Sequence, residues 1–247
     1  MKTYDTMQRN RRLVLHSAGA SLVLCALPLG ARGADAGKGL RIGVIGSGRV
    51  GGTVGALWVK AGHEVMFSSL DIEHDRKLAA SIGAGARAGT PKEAAAFGEV
   101  LFFAVPYAAL PGLGRDLAAE IKGKIALDAC NPIPGRDGDM AKDALAKGTG
   151  VASPQFLPGA RIVRTYNEVG YARMRDEAHR AGERLGIPLA GDDAQAVKMA
   201  VRLVRDAGHD PVVVGGLARA RDFDYGTPVF GKPMTATELR KALGLKP

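Results

Sequence analysis

Apolar positions along this chain gather in short continuous runs, separated by longer stretches of mixed apolar and polar residues. The runs are Leu40–Ile45, Glu64–Phe67, Val100–Val105, Lys124–Ala129, Arg161–Tyr166, Ile187–Ala190 and Asp210–Val214. Runs of this length and character predict strands covered on both faces, as in a parallel sheet. The stretches between them predict helices over Thr53–Ala61, Ile72–Ser81, Pro91–Phe97, Ala108–Ile121, 137–147, Ser153–Leu157, Met174–Leu185, Ala194–Ala207 and Thr235–Leu243. Asp71 is placed to cap the second of these. Thr90-Pro91-Lys92-Glu93 has the cap, the first-turn proline and the Glu of a capping box. Asp192-Asp193 precede the long helix near residue 200. The sum is about eight strands alternating with helices. This predicts an α/β, doubly wound, mostly parallel sheet of the Rossmann kind, in a single domain.

The first strand runs directly into Gly46-Ser47-Gly48-Arg49-Val50-Gly51, a G-x-G-x-x-G between a strand and a helix. Each glycine has a physical task there. Gly46 allows the turn, Gly48 leaves room for a pyrophosphate, and Gly51 lets the helix approach the strand. The helix N-terminus offers free N–H groups and a positive dipole end. A dinucleotide site is therefore expected. The second strand ends in Phe67-Ser68-Ser69-Leu70-Asp71 rather than directly in an acid. Ser68 and Ser69 are expected to face the ribose, and Arg49 to reach a 2′-phosphate. NADP(H) is favoured by this pattern, and NAD remains open through Asp71. Ligands of such sheets lie beyond the carboxyl ends of the strands, so Ala104, Val105 and Pro106 are expected near the cofactor. Tyr107 is placed either to stack on the cofactor or to cap the next helix. Asn131 and Pro132 lie in a rigid loop, Asn131–Gly135, at the end of another strand. There Asn131 could meet a carboxamide or only order its own turn.

Composition narrows the picture. The chain has 247 residues and a formal charge of +9, but its basic residues are dispersed among acids. No nucleic-acid surface is expected. Residues 1–36 have the layout of a signal peptide: Arg11-Arg12, an apolar stretch to Leu29, and Ala34-Asp35-Ala36 as a cleavage site. The paired arginines resemble a twin-arginine signal, which would place the protein in the periplasm or outside the cell. A general secretory signal or an uncleaved anchor are the alternatives. Residues 37–222 would form the nucleotide-binding domain, with no stable membrane domain in the mature chain. Residues 223–247 are a C-terminal extension without an assigned role. Cys130 is expected to be buried. No metal ligands stand at suitable spacing, and His179 reads as a surface residue.

Several segments together resemble the NADPH-dependent coenzyme F420 reductase family, among the dinucleotide-binding oxidoreductases. They are I-G-V-I-G-S-G-R-V-G (42–51), A-G-H-E-V (61–65), A-V-P (104–106), D-A-C-N-P-I-P-G (128–135), P-G-A-R-I-V-R-T-Y-N (158–167), A-G-D-D (190–193) and G-G-L-A-R-A-R (215–221). The resemblance implies NADP held by Gly46, Ser47, Gly48, Arg49, Val50, Ser68 and Ser69, with Val105 and Pro106 near the nicotinamide. It implies a second, small-molecule redox partner, F420 or a flavin, beside Asn131–Pro134 and Asn167. The family usually carries an Arg where this chain has Leu70. The reaction implied is hydride transfer near Val105, Pro106, Asn131 and Pro132, which requires no protein acid or base. The oligomeric state is open, a homodimer being one option. Other classes weighed are a non-catalytic NADP-binding or redox-sensing module, and a methyltransferase using S-adenosylmethionine.

Overall fold

The first strand, β1 (Arg41–Ile45), buries four of its five residues, and the chain builds outward from it on both sides. In this computed structural model, residues 39–246 are described. The expected leader lies outside the described residues. The sheet has eight strands in the order β3-β2-β1-β4-β5-β6-β7-β8. These are β2 (Glu64–Ser68), β3 (Ala86–Ala88), β4 (Val100–Phe103), β5 (Ile125–Asp128), β6 (Arg161–Thr165), β7 (Gly186–Gly191) and β8 (Asp210–Gly215). Pairing is parallel throughout except where β7 runs antiparallel to β6. The first six strands keep the 3-2-1-4-5-6 order of dinucleotide-binding sheets. The order reverses between β1 and β4, and that is the crevice where such sheets take ligands.

Alternation along the strands feeds two apolar layers. Val100 and Phe102 point to one face, and Leu101 and Phe103 to the other. Helix α1 (Arg49–Lys60), α2 (Ile72–Ile82), α8 (Tyr171–Asp176) and α9 (Ala194–Asp206) contribute to the first layer. The second takes side chains from α3 (Pro91–Phe97), α4 (Leu110–Asp116), α5 (Ala118–Ile121), α6 (Pro134–Lys147) and α7 (Thr149–Phe156). Trp58 of α1 is fully buried, edge-on to Phe102 and Tyr166, and donates to the Leu203 carbonyl at 2.8 Å.

The caps behave as expected. Asp71 accepts from the N–H groups of Glu73 and His74, Thr90 and Glu93 form a capping box, and Asp193 accepts from Ala196 N–H. Asp192 instead accepts from Leu217 N–H.

Three expectations change. The helix expected over Ala108–Ile121 is broken into a 3₁₀ turn and two short helices, α4 and α5, which part at Leu117. Gly114 packs there against the Phe156 carbonyl so closely that a Cβ would lie 1.6 Å from it. The exposed helix expected over Met174–Leu185 ends at Asp176, and Met174 is fully buried. The stretch beyond has almost no apolar stripe to bury, so helix propensity alone does not hold it. His179, at φ +58°, turns the chain there. The short edge strand β3, with only Ala-Arg-Ala, carries no period that would reveal it.

The C-terminal stretch after Asp222 packs on the far end of the sheet. Phe223, Val229 and Leu239 are buried with Ala190, Val212 and Val214 of β7 and β8. Helix α10 (Ala236–Ala242) begins in a second capping box, Thr235 with Glu238.

Candidate functional site at the sheet's switch point

The loop from Gly46 to Gly48 joins β1 to α1 at the point where the strand order reverses. Gly46 sits at φ +100°, where an L side chain is strained, and a Cβ on it would lie 2.5 Å from the Ala104 carbonyl. A Cβ on Gly51 would come within 1.9 Å of the Gly46 carbonyl oxygen, so this position sets how closely helix and strand approach. Gly48 differs from both: a Cβ there meets nothing within 4 Å. Its lack of a side chain therefore serves no packing need and leaves space on the open side of the loop. Gly48 is the N-cap of α1, with no side-chain cap and no acidic residue in the first turn. The first-turn N–H groups and the positive dipole end are thus presented to that space, as an anion requires.

A cavity of about 530 Å³ opens beside the loop. Ile45, Gly46, Gly48, Ser69, Leu70, Asp71, Ala104, Val105, Pro106, Ala109 and Leu113 are among the residues lining it. It is mostly apolar and lies between the ends of β2 and β4, with Ala104, Val105 and Pro106 in its wall just beyond β4. Leu70 is fully exposed at its rim.

The polar side chains around the loop differ from expectation. Ser68 is fully buried and its hydroxyl donates to the Val44 carbonyl at 2.7 Å, so it binds β2 to β1 and does not face a ribose. Ser69 donates to the carboxylate of Asp75 at 3.0 Å. Ser47 donates to the same carboxylate, which is fully buried. Asp75 therefore clamps the glycine loop to the end of β2, a role the sequence did not single out although Asp75 sits one helical turn beyond Asp71. Arg49 shares a pocket with Ser47, Gly48, His74 and Tyr171. Its guanidinium lies 5.6 Å from the centre of the Tyr171 ring, and it does not line the cavity beside Ser69. Tyr107 neither stacks in the crevice nor caps a helix. It is fully buried, its hydroxyl 3.1 Å from that of Ser153, and burial pushes that phenol well above its ordinary range.

A second cavity, of about 460 Å³, lies on the other side of the loop at the ends of β5 and β6. Arg49 and Val50 face it from α1, Ala129 and Asn131 from the end of β5, and Asn167 to Tyr171 from beyond β6. Phe230 and Gly231 close it from the C-terminal stretch. Asn131 and Asn167 are brought together. The Asn131 amide donates to the Asn167 carbonyl at 2.6 Å, so that donor is already engaged. Pro132 is buried in the same loop, next to the Asp137 carboxylate that accepts from Ile133 N–H at 2.9 Å.

Beneath this cavity lies a buried ionic cluster. Arg164 of β6 is fully buried, with Asp128 at 2.9 Å and Asp224 at 3.5 Å. It also donates to the carbonyls of Asp128 and Cys130, which holds the loop leading to Asn131. Burial, with Asp128 close by, pushes the Cys130 thiol up, as an inert buried thiol requires. Beyond β6 the chain passes through Tyr166 at φ +58°, unusual for a bulky residue and held by its packing on Trp58, Phe102 and His209. Glu168 follows, 2% exposed, and burial raises its carboxyl from 4.5 to about 8. No acid or base was expected at this site. The Y-N-E triplet gave no periodic signal, because its geometry depends on one strained residue.

The family described as NADP oxidoreductase, coenzyme F420-dependent, matches residues 41–132. No curated protein matches the chain. Among solved structures, the hypothetical protein SMa0349 of Sinorhizobium meliloti is similar at 21% identity and a TM-score of 0.70, over 80% of this chain and 95% of that one. A protein provisionally named an F420-dependent NADP-reductase, from Arthrobacter sp. FB24, is similar at 24% identity and a TM-score of 0.65, over 84% and 96%. An imine reductase variant from Myxococcus stipitatus, in complex with NAD+, shares 18% identity at a TM-score of 0.56, over 75% and 58%. The match to the coenzyme F420-dependent NADP oxidoreductases thus spans residues 41–132, which carry the glycine loop and every residue of the first cavity.

Proposed function

We propose that this protein transfers a hydride between NADP(H) and a small flavin- or deazaflavin-like acceptor of the F420 kind. One observation carries the reading: Gly48 leaves open, at the N-terminus of α1 and in the wall of the first cavity, the space a pyrophosphate needs. The first-turn N–H groups of Arg49, Val50 and Gly51 would hold the pyrophosphate. The apolar first cavity, with Leu70, Pro106 and Leu113, suits the adenosine half. Ala104, Val105 and Pro106 would lead the dinucleotide across the switch point towards Asn131 and Pro132. When bound, the nicotinamide supplies or accepts the hydride. The protein's part is to hold two rings at near-attack distance and to exclude water.

The open second cavity favours an enzyme over a sensor, since a module that only holds its nucleotide has no need of a second pocket there. A leader with Arg11-Arg12 that exports the protein, with its nucleotide already bound, is part of the same proposal.

Titration of purified protein with NADPH, NADH and S-adenosylmethionine, followed by single-turnover mixing with F420, FMN and riboflavin, tests the reading. The expected result is NADPH binding at micromolar concentration and oxidation by at least one of these acceptors. Failure of all three nucleotides to bind below about millimolar would overturn it. Cell fractionation with and without Arg11→Lys and Arg12→Lys tests the export: retention of the variant in the cytoplasm is expected, and unchanged distribution contradicts a twin-arginine route.

A further inference from the structure

The pocket that holds Arg49 is a third cavity, a groove of about 470 Å³ along α1 with walls from α2 and α8. From α1 it takes Arg49, Gly52, Ala56 and Lys60, which fall on one stripe of the helix. Gly52 and Ala56 are small and keep the floor of the groove low. Arg49 and Lys60 stand at the two ends of α1, about 16 Å apart along its axis. His74 of α2 and Arg175 of α8 add two further basic side chains to the walls, and among the described residues no Asp or Glu lines the groove. All four are exposed. Arg49 and Lys60 form no ion pair among the described residues, and Arg175 is paired with its own neighbour Asp176 at 2.7 Å. The first cavity is the opposite case: Asp71 and Asp116 line it, and no basic residue does. Positive charge is therefore concentrated in the groove, where it attracts an anion.

The groove also adjoins the second cavity. Arg49 and Tyr171 line both, with the guanidinium lying over the ring. Lys60, by contrast, stands next to the start of β2, at the amino ends of the strands. A dinucleotide lying across their carboxyl ends does not reach it.

From this placement we propose that the groove between α1, α2 and α8 binds a chain of anionic groups, phosphate or carboxylate, carried by the acceptor whose ring occupies the second cavity. The proposal rests on the hydride-transfer reading above and narrows its acceptor to one with a negatively charged tail. The volume of the groove suits a small-molecule chain, and the separation of Arg49 from Lys60 suits several charged groups in a row. Arg49 would meet the first of them, beside the ring, and Lys60 the last. The charged groups would hold the acceptor in register while its ring stays free to stack on the nicotinamide.

Two binding measurements on the full protein test the proposal without requiring turnover. Calorimetric titration with inorganic tripolyphosphate, with and without saturating NADP+, reads the groove in wild type and in the Lys60→Glu/Arg175→Glu variant. Binding that persists in NADP+, weakens as salt is raised and falls at least about tenfold in the variant is expected. Binding that NADP+ abolishes would assign the anion site to the nucleotide and overturn the proposal, as would equal binding by the variant. Flavin fluorescence quenching with FMN and riboflavin, which differ by one phosphate, reads the tail. FMN should bind wild type at least about tenfold more tightly than riboflavin. The gap should close in the variant, while its Tm and its riboflavin affinity stay as in wild type. Equal affinities for the two flavins, no binding of either, or a gap that survives in the variant overturns the proposal. If FMN binds in this way and NADPH is nevertheless not oxidised, the hydride-transfer reading fails and the anion groove stands.

Discussion

Replacing Glu168 by Gln should change the protein's stability by an amount that grows with pH in a defined way. The carboxyl titrates at about 8 when folded, against an ordinary value of 4.5. Between these values the native state holds a proton that the unfolded chain has released. The slope of unfolding free energy with pH is set by protons bound unfolded minus protons bound native, which is negative here, so this group's contribution falls as pH rises through the window. Below about pH 4.5 both states are protonated and the contribution vanishes. Each unit is worth about 1.4 kcal/mol, so the neutral buried acid costs roughly 3 kcal/mol at pH 7. Gln does not titrate. Whatever fixed cost its amide carries in an unpartnered site adds a constant and leaves the slope untouched. Urea unfolding at pH 5, 6, 7 and 8 can be followed by the fluorescence of Trp58, the only tryptophan and fully buried. The stability gap between variant and wild type should widen by about 1 kcal/mol per pH unit across this range. Parallel pH dependences of the two proteins would refute the placement of a neutral carboxyl there.

Other predictions follow from the same contacts. Arg164→Leu strands the buried carboxylates of Asp128 and Asp224 and should cost about 3–5 kcal/mol in urea unfolding at pH 7; a cost under 1 kcal/mol contradicts the cluster. Gly51→Ala forces a Cβ against the Gly46 carbonyl and should lose about 1–3 kcal/mol together with nucleotide affinity. Leu70→Arg places a guanidinium at the rim of a cavity whose β2 end is lined by Ser69, Leu70 and Asp71. It should raise the preference for NADPH over NADH about tenfold, measured as the ratio of Kd values, at no cost in stability. An unchanged ratio would mean that the ribose lies elsewhere.

The sheet was legible because each parallel strand is a continuous apolar run, and the glycine loop because its spacing follows from steric needs visible in sequence. The same holds for the caps at Asp71, Thr90 and Asp193, where a short polar side chain meets the helix start. Side-chain direction at the site was not legible. Ser68 and Ser69 are adjacent residues of like chemistry, yet strand alternation turns one hydroxyl into the sheet and leaves the other to Asp75. Arg49 was placed by its neighbours in sequence, whereas its direction is set by Tyr171, more than a hundred residues away. With the Arg49 guanidinium over the Tyr171 ring, the preference for NADP rests on the similarity of residues 41–132 to NADP oxidoreductases. Glu168 escaped notice because nothing in a local pattern reveals burial without a partner; that requires β6, α1 and the C-terminal stretch to be in place together.

The Gly46–Gly48 loop is the proposed seat of the dinucleotide. Gly48→Val tests it cleanly, because the added side chain meets no protein atom at its Cβ and the backbone there, at φ −63°, is open to any residue. Calorimetric titration of wild type and Gly48→Val with NADPH, alongside their thermal unfolding, is the decisive measurement. A variant with unchanged Tm and a loss of NADPH affinity of at least about a hundredfold is the predicted result; a variant that binds NADPH as wild type does would contradict the placement of the pyrophosphate.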